Sequence, residues 1–234
     1  NAAGTGSLQI DAGTMTIGDG LDVDNLRVGV DSLNAALTVN GGTVQIGDGT
    51  GILDIGRRNF PVGSNAKGTV NLSAADSVTI DVADIRLGTD ASNVFGQGGS
   101  AEGDLTLSTL GSNTITATSL LMGFVESGSN LTRVSELHLG GDTNTFNLDT
   151  LTVGGRKSVG LIDIVGGGTF TLTGNANSGT DLRIGYNDGA GTGTSPNLST
   201  MDLTGGTFSA TLDELVIGLH HSGSGNGKGV LTYT

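Results

Sequence analysis

The chain has 234 residues, of which 43 are Gly, 2 are Pro and none is Cys or Trp, with 10 basic and 23 acidic side chains and a net charge of −13. These values exclude a collagen triple helix, which needs Gly at every third position and abundant Pro. They also exclude a disulfide scaffold or thiolate metal site, and like-charge repulsion argues against nucleic acid or an anionic membrane surface as partner. No apolar run nears the roughly 20 residues that span a bilayer, so no membrane insertion is expected of this segment.

Along the chain one phrase recurs: apolar, any residue, apolar, Gly. It reads Leu26-Arg27-Val28-Gly29, Leu53-Asp54-Ile55-Gly56, Ile85-Arg86-Leu87-Gly88, Leu120-Leu121-Met122-Gly123, Leu151-Thr152-Val153-Gly154, Leu182-Arg183-Ile184-Gly185 and Leu215-Val216-Ile217-Gly218. Successive glycines lie 27, 32, 35, 31, 31 and 33 residues apart, a mean of (218 − 29)/6 = 31.5. Each such closing strand is preceded by two others. An opening strand carries apolar residues two apart: Leu8/Ile10, Leu37/Val39, Val70/Leu72, Leu105/Leu107, Leu137/Leu139, Ile162/Ile164 and Met201/Leu203. A middle strand begins on a hydroxyl residue, at Thr14, Thr43, Ser77, Thr114, Thr145, Thr169 and Thr207. The apolar residues after these are Met15, Val44, Val78, Ile115, Phe146, Phe170 and Phe208.

Apolar alternation with period two puts one set of side chains inward and the other outward, which is the pattern of a β-strand. Three short strands in each of about seven units, with turns at Asn40-Gly41-Gly42, Gly140-Gly141, Gly166-Gly167-Gly168 and Gly205-Gly206, predict an all-β, parallel β-solenoid (β-helix) forming a single domain over residues 1–234. Each coil would bury its apolar column against the coils above and below. A propeller blade needs four strands and a longer unit, and fits less well. Length varies mainly between the closing Gly and the next opening strand, as at Arg57-Arg58-Asn59-Phe60-Pro61 and from Asn187 to Pro196. These stretches read as excursions against which nothing packs.

Stacked coils turn sequence spacing into ladders. The outward residue of the closing phrase runs Arg27, Asp54, Arg86, Leu121, Thr152, Arg183, Val216, so Asp54 should lie between Arg27 and Arg86 as ordinary surface charge. Asp24, Asp84, Asp149, Asp181 and Asp213 stand just before the closing strands. Stacked carboxylates could hold a structural Ca²⁺, but Asp is also a common turn former, and neither a calcium nonapeptide repeat nor an EF-hand loop occurs. Thr14/Thr16, Thr114/Thr116 and Thr169/Thr171, with Ser77/Thr79 close, suggest a Thr-x-Thr array. It would suit ice only if it were flat and free of loops, and Thr is favoured on any exposed strand. His138 falls on an outward strand position, while His220 and His221 begin a Gly/Ser loop, and surface His is expected for all three. No catalytic, cofactor-binding or metal-ligating constellation is found, and no HExxH, GxSxG or P-loop is present.

The phrase Met201-Asp202-Leu203-Thr204-Gly205-Gly206-Thr207-Phe208 followed by Leu215-Val216-Ile217-Gly218 resembles the repeats of bacterial autotransporter-type passenger domains and related secreted β-solenoid surface proteins. The resemblance covers nearly the whole chain. It implies export to the cell surface or extracellular space and a non-enzymatic structural or adhesive role, as adhesin, matrix or filament component. The alternative is a polysaccharide-binding or polysaccharide-active β-helix. Gly229-Val230-Leu231-Thr232 reads as a further opening strand, so end-to-end self-association or continuation of a longer solenoid is expected.

Overall fold

A computed structural model describes residues 6–11, 13–32, 34–59, 65–91, 100–125, 133–156, 158–175, 178–187, 198–220 and 227–234. The described chain is all-β, and every strand pairing in it is parallel. One sheet of eight strands runs in the order β2 (Gly13–Ile17), β5 (Ala35–Val39), β8 (Ala66–Asn71), β11 (Ala101–Thr106), β13 (Val134–Leu139), β15 (Val159–Ile164), β18 (Ser199–Asp202), β21 (Gly229–Thr232). The other sheet, of 13 strands, holds two ladders side by side.

Its first ladder joins the middle strands β3 (Leu21–Val23), β6 (Thr43–Ile46), β9 (Ser77–Asp81), β12 (Asn113–Val125), β14 (Thr143–Gly155), β16 (Thr169–Thr173) and β19 (Thr207–Ala210). Its second joins the closing strands β1 (Ser7–Ile10), β4 (Asn25–Val28), β7 (Ile52–Ile55) and β10 (Asp84–Asp90), then β12 and β14 again, then β17 (Thr180–Tyr186) and β20 (Leu212–Ile217). Strands β12 and β14 run through both ladders without a break.

The closing phrase pairs as its spacing predicts. Leu26, Leu53, Ile85, Leu120, Leu151, Leu182 and Leu215 occupy one column, each opposite the next. Leu26 to Leu182 are fully buried, whereas Leu215 is 49% exposed, its strand pairing on one side only among the described residues. Burying such a side chain contributes about 1.5–3 kcal/mol, so each inner rung is stabilised by having a neighbour on both sides.

Glycine closes the phrase for two reasons. All seven closing glycines have positive φ, from 54° to 73°, a region that costs other residues about 1–2 kcal/mol. They also press on a second column in the eight-stranded sheet, where Gly68, Gly103 and Gly160 stand in register with Ala35, Ser135 and Ser199 or their neighbours. A Cβ on Gly154 would lie 2.7 Å from the Gly160 amide N and against Ser199 Oγ.

Two expectations about register need correction. In the first unit, Leu8-Gln9-Ile10 pairs with Leu26-Arg27-Val28 and is a closing strand, not an opening one. Thr14-Met15-Thr16 pairs with Ala36-Leu37-Thr38 in the eight-stranded sheet and is an opening strand, not a middle one. The middle strand there is Leu21–Val23, opposite Val44-Gln45-Ile46. Period-two alternation is common to all three strand types, and Asp11 replaces the Gly that marks the other closing strands.

The middle strands hold two inward columns, not one. Val44, Val78, Asn113, Asn144, Phe170 and Phe208 form the first, while Ile46, Ile80, Ile115, Phe146 and Leu172 form the second. Two buried asparagines therefore stand where apolar residues flank them. Asn144 Oδ1 accepts from Gly140 N at 2.9 Å, and Nδ2 donates to Gly140 O at 2.9 Å and Thr169 O at 3.0 Å. Asn113 grips Ser108 N and O in the same way and donates to Asn144 Oδ1 at 3.0 Å. A primary amide copies the peptide unit, so it satisfies turn groups that would otherwise be buried without partners.

Candidate functional site

Three outward faces carry side chains that could act on something outside the chain. On the closing strands, Asp54 stands between Arg27 and Arg86 as predicted. Its carboxylate lies 3.8 Å from Arg27 Nε, 3.3 Å from Arg86 Nη1 and 3.6 Å from Arg57 Nη1. It is not ordinary surface charge, because the Asp54 side chain is 3% exposed beneath the three guanidinium groups. Arg57 was the missing element, since its stretch reads as an excursion against which nothing packs. Its neighbour Arg58 departs further from that expectation, being fully buried with Nη1 3.0 Å from Asp90 Oδ2. Asn59 is exposed and bonds the Asp31 carboxylate; Phe60 and Pro61, and the stretch after Asn187 through Pro196, fall outside the described residues.

The five aspartates before the closing strands do not stack. Asp84 and Asp181 share a column, but Ser119 and Thr150 separate them. Asp24 and Asp149 sit one residue before their closing-strand columns, outside the paired register. Three of the five have local partners: Asp84 receives Arg86 Nη2 at 2.9 Å and Ser119 Oγ at 2.7 Å, Asp181 receives Arg183 Nη2 at 2.9 Å, and Asp149 receives Asn175 N at 3.1 Å. Among the described residues no group of three or more His, Asp or Glu is placed to hold a metal ion.

The densest set of titratable groups lies on the eight-stranded sheet, where it was not anticipated. Glu102 faces Lys67 and Asp104 faces Glu136 on adjacent strands, while His138 stands beside Asp163. Glu102 contacts Lys67 Nζ and accepts from Arg133 Nη1 at 3.1 Å. His138 Nδ1 is 2.7 Å from Asp163 Oδ1 and Nε2 is 3.2 Å from Glu136 Oε2. Burial, together with the charges of Glu102 and Glu136, pushes the Asp104 carboxyl up to about 6. The bond to Glu102 raises Lys67. Asn34, Asn65, Lys67, Ser100, Glu102 and Arg133 line an adjoining cavity of about 240 Å³. Sequence spacing hid this set because its members come from four strands and no two share a motif; the pairing register alone brings them together. His138 does take the outward position expected of it. His220 is exposed beside Asn187, and His221 lies outside the described residues.

The middle-strand face is different in kind. Gln45, Thr79, Thr114, Thr145, Thr171 and Ser209 form one row. Thr143, Thr169 and Thr207 form a second beside it, and Asp81, Thr116, Asn147 and Thr173 a third. Thr14 and Thr16 belong to the other sheet, while Thr143, Thr145 and Thr173 complete rows that the sequence left partial.

Comparison of the chain with known protein families, with curated proteins and with solved structures finds no match.

Proposed function

We propose that this chain is a β-solenoid of about seven coils, three strands to a coil, serving as a structural or adhesive element of a bacterial surface, extracellular matrix or filament. The observation that carries the reading is the single column from Leu8 to Leu215, in register through every closing strand. Parallel strands repeat about 4.8 Å apart, so seven coils make a rod of about 35 Å. Such a stack gives length in which each unit needs only its neighbours. The resemblance to autotransporter-type passenger repeats supports a secreted or surface location.

The outermost strands support end-to-end partnership. Leu215, Ile217 and Tyr233 are 49%, 44% and 63% exposed at one end, and Met15 is 40% exposed at the other. An open parallel edge accepts a further strand, either from continuation of the chain or from a second copy. Electron microscopy of native material tests the reading: straight rods or filaments outside the cell are expected, and compact particles confined to the cytoplasm would overturn it.

One observation favours a second reading, a polysaccharide-binding or polysaccharide-active β-helix. Asp104 and Glu136 place two carboxyl groups on adjacent strands, one of them held protonated to about pH 6, beside Lys67 and Arg133. Paired carboxyl groups flanking a bond are the equipment of glycoside hydrolysis. Release of reducing ends from acidic polysaccharides by the native chain, lost in Asp104→Asn, would support this reading.

A further inference from the structure

The three rows on the middle strands form a grid. Outward side chains along a strand repeat about every 6.6 Å and across parallel strands about every 4.8 Å. Over β9, β12, β14, β16 and β19 the grid positions are Ser77, Thr79 and Asp81; Thr114 and Thr116; Thr143, Thr145 and Asn147; Thr169, Thr171 and Thr173; Thr207 and Ser209. Asp81 is the one charged side chain among them, and no aromatic ring is present. The Arg and Asp side chains of the closing strands, and the Lys67 to Asp163 set, lie on the other two faces.

Each threonine offers a methyl and a hydroxyl whose placement is restricted at χ1. In the third row neighbours fix one another, with Thr173 Oγ1 donating to Asn147 Oδ1 at 2.9 Å and Asn147 Nδ2 donating to Thr116 Oγ1 at 3.4 Å. In the central row, Thr79, Thr114, Thr145 and Thr171 have no side-chain hydrogen bond among the described residues, so their hydroxyls are left to water. Buried Val78, Ile80, Ile115, Phe146, Phe170 and Leu172 back the grid and hold its spacing rigid. In the sequence, the longer excursions all fall between a closing strand and the next opening strand.

A rigid two-dimensional array of hydroxyls, spaced by methyl groups and almost free of charge, fixes water at a lattice of points instead of orienting it around ions. Its two repeats are close to oxygen spacings on faces of ice, and preorganisation lowers the entropic cost of holding an ordered layer. A crystalline polysaccharide is the weaker occupant, because a sugar surface is gripped by aromatic faces that these rows lack. We propose that the threonine face binds ice. The inference goes beyond the structural role above and does not depend on it.

The test uses the full chain in ice-recrystallisation and thermal-hysteresis assays, with albumin as a blank. The native chain should suppress recrystallisation, and Thr145→Lys and Thr114→Lys should abolish the effect. Thr38→Lys, on an outward row of the eight-stranded sheet, should retain it. Circular dichroism checks that each variant is folded; if the lysine variants are not, Thr145→Val removes the hydroxyl at nearly constant volume and should show the same loss. A folded native chain indistinguishable from albumin, or equal loss in Thr38→Lys, overturns the proposal. So does retention on crystalline chitin or cellulose that Thr145→Lys abolishes, in the absence of ice activity. Failure here leaves the rod reading to its own microscopy.

Discussion

Asp54 and Arg86, 32 residues apart in sequence, face each other across adjacent strands with 3.3 Å between Oδ1 and Nη1. Arg27 approaches the same carboxylate from the other side and Arg57 from three residues along the chain. One buried anion thus holds three cations.

Removing that anion should cost far more than removing one of its partners. Asp54→Ala leaves Arg27, Arg57 and Arg86 to repel one another and is expected to lower the unfolding free energy by about 3 kcal/mol. Arg27→Ala, at a side chain 45% exposed, should cost less than about 1 kcal/mol. Urea denaturation of the two variants decides the matter; equal midpoints would show that Asp54 is ordinary surface charge after all.

The glycines divide into those that need only their backbone angle and those that also need the space. Gly205 has φ 84° and open surroundings, whereas Gly154 has φ 69° and lies against Gly160 N and Ser199 Oγ. Gly205→Ala is expected to cost about 1–2 kcal/mol, the strain of the left-handed region alone. Gly154→Ala adds a backbone collision and should cost visibly more, read as a larger drop in thermal midpoint. Equal losses would mean that the contact relaxes freely.

The asparagine pair should behave as one unit. Asn144→Ala strands the Gly140 N–H and C=O and the Thr169 C=O, and each buried unsatisfied group costs about 1–3 kcal/mol. In a double-mutant cycle the two losses from Asn113→Ala and Asn144→Ala should fall short of additivity, because each amide serves the other. Strict additivity would count against the shared bond.

Asp104 makes stability depend on pH in a stated direction. Its folded carboxyl titrates at about 6 against an ordinary value of 3.8, so the folded state binds the extra proton between those values. Its contribution is fully present below pH 3.8, falls as pH rises towards 6 and is absent above. Asp104→Asn should remove this slope and stabilise the fold at pH 7 by about 1–2 kcal/mol, solvent screening trimming the ~3 kcal/mol implied by the full displacement. Melting curves between pH 4 and 8 measure it; a variant with the native slope would place the titration elsewhere.

Much of the architecture could be read from residue order because the repeated signal sits in one place. A glycine after apolar-x-apolar marks a corner, and seven such corners fix which leucines meet; Asp54 between Arg27 and Arg86 follows from counting alone. The first unit misled because Leu8-Gln9-Ile10 ends on Asp11, and the alternation of Thr14-Met15-Thr16 is shared by every strand type. The middle register misled because Asn113 and Asn144 are polar yet point inward, so counting apolar residues skipped them and placed Phe146 opposite Phe170. In the structure Phe146 faces Leu172 instead, although the two rings still meet edge to face at 4.9 Å. The surface sets were least legible. Lys67, Glu102, Asp104, Glu136, His138 and Asp163 form no motif, since what unites them is lateral pairing across strands whose intervening segments differ in length.

The pairing pattern bears on how such a chain reaches its folded form. Partners are 18 residues apart at Ser7 and Asn25 and 39 at Leu161 and Thr200, with the other pairs between. Loop-closure entropy is therefore nearly constant from one rung to the next. Once any two neighbouring rungs have met, growth in either direction repeats the same modest step, so a chain of twice the length would nucleate no more slowly and would simply zip for longer.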